Sequence, residues 1–371
     1  MKQNVLFVIH SMATGGISTS LVNLIEYLDK TKKDEFNFDL LVFAKNPRES
    51  ALPNFVNILY ANKNLQLSAT PFYDVLKSKK CIDIAKRILL MIKVRIVGSD
   101  RFYRAELKKI KNNKKYDAAV SYSNDLPCEY FNQGASLYIS DYVEADERVY
   151  WLHNDPVKLG FDRNYCEKAF EKIDRIICVS EAVRNKLVEI MPELSKKTEV
   201  FYNRFDAEKI MKQAMEYIPF EKKDIFNIVT VCRIDNASKR TDGIVHLCAR
   251  LKKDGVVNFK WRIVGGGHEL KQNIALASKL DVLDVVEFVG EKKNPNPYIL
   301  HSDLFALYSA YEGHPMVIGE AISVGTYVLT TEYAAAKEQV HKEHGEIAFS
   351  DEEFYQKIKT LISSKKLERT E

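Results

Sequence analysis

The 371 residues carry 46% hydrophobic and 29% charged side chains with a net charge of +4, which excludes a disordered chain, a collagen-like chain and a small disulfide scaffold. The length sets two domains as the expectation. A mean hydropathy of −0.26 and the lack of an apolar run of about 18 residues exclude a transmembrane helix, and the apolar run Val5–Ile9 is too short for a signal-peptide core.

In chain order, strands and helices alternate, which predicts parallel sheets with helical crossovers. Val5–Ile9 reads as a buried strand, His10–Gly16 as a turn-rich loop and Ile17–Leu28 as a helix that Ser18 caps. Strands follow at Phe38–Phe43, Ala118–Ser121, Val149–Leu152, Arg175–Val179 and Thr198–Phe201, with helices at Asp162–Ile173 and Glu181–Ile190. Ala207–Lys223 is polar and reads as a connector. The same rhythm then restarts with strands at Phe226–Cys232, Phe259–Val264, Val285–Val289, Leu304–Leu307 and Tyr327–Thr330. Helices between them are expected at Arg240–Lys253, His268–Leu280, Pro295–Leu300 and Val317–Ser323. Ligands of such sheets bind beyond the C-terminal strand ends, so two sheets would make a deep interdomain cleft.

Charge is uneven. Between Lys77 and Lys115 fourteen basic residues face three acids, a surplus of eleven, and the rest of the chain carries −7. Apolar residues Ile82, Ile84, Ile88, Leu89, Met91, Ile92, Val94 and Ile96 interleave with those cations. Two readings stay open: an amphipathic basic helix on anionic lipid, or a solvated helix with its apolar side on the core. No recognition motif accompanies the charge, so nucleic acid is not expected. The six cysteines (Cys81, Cys128, Cys166, Cys178, Cys232 and Cys248) form no C-x-x-C pair and no zinc-ligand spacing, and read as free thiols in a reducing cytoplasm.

The stretch from Ser309 to Ala321 carries the chemistry. Glu312 ends a strand-to-helix loop, and Glu320 falls about two turns into a helix that begins near Pro315. Both carboxylates then flank a pocket, and the free N–H groups of the first turn between them suit an anion. Such a site grips sugar hydroxyls with its acids and a phosphate with its amides.

The pattern S-x-x-E-G-x-P-x-x-x-x-E-A in this stretch resembles the signature of the retaining GT-B glycosyltransferases of the "glycosyl transferases group 1" type. Other resemblances recur along the chain: Gly15-Gly16 after the first strand, Cys178-Val179-Ser180, Tyr202-Asn203 through Asp206, Val231-Cys232-Arg233 followed by Lys239, Ile263-Val264-Gly265, and Phe288-Val289-Gly290. The likeness is diffuse between residues 45 and 145. It departs from the family at Arg204 and Arg240, where glycine is usual, and at Cys232; Arg240 then becomes an alternative phosphate ligand.

The resemblance implies an α/β GT-B fold of two Rossmann-like domains whose parallel sheets face an interdomain cleft. Residues 1–204 would bind acceptor and residues 205–355 the nucleotide sugar, with 356–371 a C-terminal helix or tail packing back on the first domain. It implies that Arg233 and Lys239 bind the donor diphosphate, where fixed cations stabilise the departing charge. Glu320 would take the ribose and Glu312 the sugar. Backbone from Gly313 through His314 and Pro315 to Met316 would line the sugar pocket, and Gly265 would let the nucleotide approach. His153 is expected near the reacting carbon, and Gly15 and Gly16 at the diphosphate. The chain holds no D-x-D, so no metal and no other cofactor is expected. The implied activity is retaining hexosyl transfer from a nucleotide diphosphate sugar, UDP foremost, to a glycan or lipid-linked saccharide in cell-surface polysaccharide synthesis. The expected location is cytoplasmic; of the two open readings of residues 77–115, the lipid one adds peripheral contact with an anionic membrane. A nucleotide-sugar epimerase of the same fold and a non-catalytic partner subunit are the alternatives.

Overall fold

The computed structural model describes all residues except Met1, Thr14, Lys33, Asp34, Cys128, Lys222, Lys223 and 368–371. The free-thiol reading of Cys128, the last two residues of the connector and the final four of the tail therefore lie outside the described residues. The chain divides into two units, Met1–Arg204 and Phe205–Glu371.

The first unit is built on strands β1 (Gln3–Ser11), β2 (Phe36–Ala44), β3 (Asn57–Tyr60), β4 (Asn112–Ser121), β5 (Val143–Leu152), β6 (Arg175–Cys178) and β7 (Thr198–Val200). They pair in the order β3-β2-β1-β4-β5-β6-β7, all parallel. Central β1 sets Val5 opposite Phe38 of β2 and Ala118 of β4. Leu6, Phe7, Val8 and Ile9 are buried on both faces, each apolar side chain contributing about 1.5–3 kcal/mol, which is why this strand reads as an unbroken apolar run.

The second unit holds β8 (Phe226–Val231), β9 (Phe259–Val264), β10 (Val286–Gly290), β11 (Leu304–Leu307), β12 (Val328–Thr331) and β13 (Gly345–Ala348). Their order is β10-β9-β8-β11-β12-β13, again all parallel. In each sheet the order reverses beside the unit's first strand, between β1 and β4 and between β8 and β11. Loops leaving a parallel sheet diverge at such a switch point and open a crevice there.

Several elements differ from the sequence reading. The helix Gly16–Thr31 has Gly15 at its N-cap; Ser18 lies inside the first turn and donates its hydroxyl to the Gly15 carbonyl at 3.2 Å, so it caps nothing. The polar connector contains the helix Ala207–Ala214, capped by Asp206 accepting from the Lys209 N–H at 3.0 Å. Residues 63–76 receive no element from the sequence and form the helices Lys63–Ala69 and Phe72–Lys77, whereas the basic segment, read as a helix, forms two, Cys81–Val97 and Ser99–Leu107. The last helix runs Asp351–Leu367 and buries Phe354, Tyr355, Ile358 and Ile362 in a core of the second unit.

Candidate functional site

The second unit's switch point brings together the loop after β8 and the loop after β11. The first begins with Cys232, whose N–H donates to the Val264 carbonyl at 3.1 Å, and Ile234, whose N–H donates to the Gly266 carbonyl at 2.8 Å. Asp235 then caps the short helix Asn236–Lys239, accepting from the Ser238 N–H at 3.2 Å. Asn236 fixes the turn from inside, its side-chain oxygen accepting from the Thr241 hydroxyl at 2.7 Å, the Asp242 N–H at 3.1 Å and the Asn273 amide at 3.0 Å.

The two loops meet at Ser238, whose carbonyl accepts from the Ala310 N–H at 2.8 Å. One residue on, the Lys239 ammonium pairs with Oε1 of Glu312. The Ser309 hydroxyl donates to the same oxygen at 2.8 Å, and the Ser309 carbonyl is held by the Thr331 hydroxyl at 2.6 Å. Glu312 is buried. A buried carboxylate needs a charge partner and hydrogen bonds, and Lys239 and Ser309 supply both. Lys239 of the first loop and Glu312 of the second are thus one unit of charge.

Arg233 sits on the first loop with its side chain 67% exposed and reaches Asp235 at 3.3 Å. Burial works to raise the Asp235 pKa, but the Ser238 N–H and the Arg233 charge prevail and hold it low. Cys232 is pushed up to about 12 by burial, so it offers no thiolate. A Cβ on Gly265 would lie 1.8 Å from the Cys232 carbonyl oxygen, and one on Gly267 would lie 2.1 Å from that of Ile234. These glycines let the β9 loop press against the Arg233 loop.

Arg240, standing where glycine is usual, adopts the left-handed conformation (φ 47°, ψ 43°) that glycine adopts at little cost. Its guanidinium is engaged: it bonds both carboxylate oxygens of Asp351 at 2.8 and 2.6 Å, donates to the Tyr308 hydroxyl at 2.8 Å, and lies 4.0 Å above the Tyr308 ring centre. It is a clamp on the last helix, which argues against its use as a phosphate ligand.

The β11 loop continues through buried Gly313, His314, Pro315 and Met316. Pro315 is the N-cap and the helix runs Met316–Ser323, so half-buried Glu320 is its fifth residue, little more than one turn in. The His314 ring nitrogen Nδ1 lies 3.3 Å from the Gln339 amide, which also donates to the Pro315 carbonyl at 2.9 Å and is itself positioned by the Tyr333 hydroxyl at 2.8 Å. Burial pushes the His314 pKa down to about 4. Gln339 was not foreseen, and no local signal in the sequence marks it. Asp235 was not singled out either, although an acid just before a short polar helix is a capping pattern.

In the first unit, His153 follows β5. Its N–H donates to the Asn124 side chain at 3.0 Å. The ring meets Tyr122 edge-on with centres 4.5 Å apart and lies parallel to Trp151 at 6.3 Å. Burial drives its pKa to about 3, so the imidazole is neutral near pH 7, and its buried Nε2 has no hydrogen-bond partner among the described residues. A buried orphan of this kind costs about 1–3 kcal/mol. Gly15 is extended at the N-cap, and a Cβ there would meet no described atom within 4 Å; Gly16 opens the helix. An unforeseen pair lies at this sheet's switch point: His10 Nε2 meets Asp125 at 3.1 Å. Asp125 also accepts from the Ala135 and Ser136 N–H groups at 3.1 and 3.0 Å, which anchors the helix Ala135–Asp141.

Residues 211–370 match the family model for glycosyl transferases group 1. Among curated proteins, the chain is 29% identical over 212 residues to the N-acetylgalactosamine-N,N'-diacetylbacillosaminyl-diphospho-undecaprenol 4-alpha-N-acetylgalactosaminyltransferase of Campylobacter jejuni, covering 54% of each chain. It is 26% identical over 204 residues to the N-acetyl-alpha-D-glucosaminyl L-malate synthase of Bacillus anthracis, covering 53% of this chain and 52% of that one. The chain thus spans about half the length of the curated relatives it matches. Among solved structures, Anabaena HepE in complex with UDP-glucose superposes with a TM-score of 0.65 at 16% identity, covering 98% of this chain and 89% of that one. WaaG, a glycosyltransferase involved in lipopolysaccharide biosynthesis, superposes at 0.62 and 14% identity, covering 97% and 90%. At these identities the superpositions show the fold, which is GT-B, and the second unit, over residues 211–370, is similar to the glycosyl transferases group 1 family.

Proposed function

We propose that the chain is a retaining, metal-independent glycosyltransferase that moves a sugar from a UDP-sugar to a hydroxyl of a glycan or lipid-linked saccharide. The observation that carries this reading is the Lys239–Glu312 pair at the second sheet's switch point, with Arg233 on the same loop. The bond that breaks joins the sugar's anomeric carbon to the diphosphate, and negative charge gathers on the departing oxygens. Lys239 and Arg233 are cations held on a structured loop, suited to stabilise that charge as it develops. Glu312 keeps Oε1 on Lys239 and Ser309 and presents its other oxygen to a sugar hydroxyl. The N–H groups of the first turn after Pro315 lack helical partners and suit a phosphate.

His153 offers its Nε2, which has no hydrogen-bond partner among the described residues, to a sugar hydroxyl. Being neutral, it accepts or donates one hydrogen bond without adding charge. The Campylobacter relative, named for transfer to a diphospho-undecaprenol saccharide, supports a lipid-linked acceptor, and the UDP-glucose bound by HepE supports uridine as the donor base. The test incubates the chain with a panel of UDP-sugars and a lipid-diphosphate-linked saccharide. The reading expects a product whose new anomeric centre, read by NMR, keeps the donor configuration, at a rate undiminished by EDTA and lost in Lys239→Ala plus Glu312→Ala. An inverted product, an EDTA-sensitive rate, or full activity in the double variant overturns it.

A further inference from the structure

The helix Cys81–Val97 is apolar on two opposite faces. One face is accounted for: Leu90 and Val94 are buried in the first unit's core, and Ile84, Met91 and Val97 pack against it. Arg87 belongs to this face too, its guanidinium 3.8 Å above the Phe131 ring. The other face carries Ile82, Leu89, Ile92 and Ile96, whose spacings return to one side of a helix. They are exposed by 71, 64, 50 and 79%. A helix that is apolar on every side belongs in an interior or against a cover, and contiguous exposed apolar surface marks an interaction site. Among the described residues nothing covers this stripe.

The charge around the stripe selects the cover. Exposed Lys86 and Lys93 lie along one border and exposed Arg95 along the other. Lys77, Lys79 and Lys80 lead into the helix, all exposed. The surrounding segment 77–115 carries a surplus of eleven positive charges. A second copy of this face would bring like charges together, which costs association. An anionic bilayer answers both demands: its headgroups pair with the cations, each contributing about 1 kcal/mol, and its acyl boundary takes the isoleucines and Leu89. At 17 residues the helix is shorter than the roughly 20 needed to span a bilayer. It would lie in the surface plane with its core face turned inward.

We infer that Cys81–Val97 is a docking surface for an anionic phospholipid bilayer, with Ile82, Leu89, Ile92 and Ile96 entering the headgroup boundary and Lys86 and Arg95 pairing with phosphates, while Lys93 stays on Glu106 at 3.8 Å. This inference does not depend on sugar transfer, because vesicle binding is read without donor or acceptor.

The experiment floats the intact chain with vesicles of phosphatidylcholine alone or of phosphatidylcholine mixed with phosphatidylglycerol. The wild type is expected to float with the mixed vesicles, poorly with the neutral ones, and less at 1 M salt, where the Debye length falls to about 3 Å. Leu89→Ser plus Ile96→Ser should weaken that binding about tenfold or more. Lys86→Glu plus Arg95→Glu should weaken it more at low salt than at high salt. Circular dichroism and the thermal midpoint should be unchanged in the serine variant, since both positions are exposed. Equal binding by wild type and the serine variant overturns the inference. So does failure to bind mixed vesicles, or a wild-type dimer in light scattering that the serine variant makes monomeric.

Discussion

Lys239 and Glu312, 73 positions apart in sequence, form one ion pair at the switch point of the second sheet, and the Ser309 hydroxyl bonds the same carboxylate oxygen. Removing one partner leaves the other partly buried and uncompensated. Lys239→Met is expected to destabilise the chain by about 2 kcal/mol or more and to abolish sugar transfer. Lys239→Met with Glu312→Leu should recover most of that stability in urea unfolding and none of the activity. Recovered activity would show that the pair only holds the loops.

Gly319 packs against Phe205, two residues before the connector. A Cβ there would fall 2.3 Å from the Phe205 ring, so Gly319→Ala should cost about 1–3 kcal/mol by overpacking. Phe205→Leu in the same chain should restore part of the loss, which a double-mutant cycle on thermal unfolding reads directly.

Gly265→Ala is a harsher case, because the obstructing atom is the Cys232 carbonyl oxygen at 1.8 Å and backbone does not swing aside. The expected cost is about 3 kcal/mol or more, together with loss of donor-induced thermal stabilisation as the Arg233 loop is displaced. Alanine tolerated here without change in either readout would contradict the packing.

Arg240 separates backbone strain from side-chain contacts. Arg240→Ala keeps a left-handed residue and loses the Asp351 and Tyr308 bonds. Arg240→Gly loses the same bonds and relieves the strain. The glycine variant should be the more stable of the two by about 1 kcal/mol, measured by urea midpoint at constant slope.

Two buried histidines set an acid limit. His153 titrates near 3 and His314 near 4 in the folded chain, against about 6.5 unfolded. Above pH 6.5 neither state binds the proton and stability is untouched. As pH falls below 6.5 the unfolded chain takes up protons that the folded chain refuses, so stability declines until the folded values are passed. His314→Gln should flatten the thermal midpoint between pH 6.5 and 4 relative to wild type.

The parts of the fold readable from sequence were those with a single strong demand. β9 and β11 were placed at their observed ends, Phe259–Val264 and Leu304–Leu307, because β11 is an unbroken apolar run and β9 alternates Phe259, Trp261 and Ile263 with Lys260 and Arg262. β13, Gly345–Ala348, was missed: four residues at a sheet edge carry no such run. The stretch around Cys81–Val97 was ambiguous for the reason now visible, that two faces of one helix are apolar and a single period cannot assign both. At the site, Glu312 and Lys239 stood out by residue type and context. Gln339 and Asp351 did not, since their partners, His314 and Arg240, are distant in sequence and only folding sets them side by side.

The clamp between Arg240 and Asp351 gives the helix Asp351–Leu367 a hold on the loop before Thr241. Asp351 is the first residue of the last helix, and Arg240 directly follows Lys239. Trimming that helix would free the arginine, slacken the adjoining turn and let the lysine drift. That helix is thus a remote tensioner for the loop on which the Lys239–Glu312 pair depends.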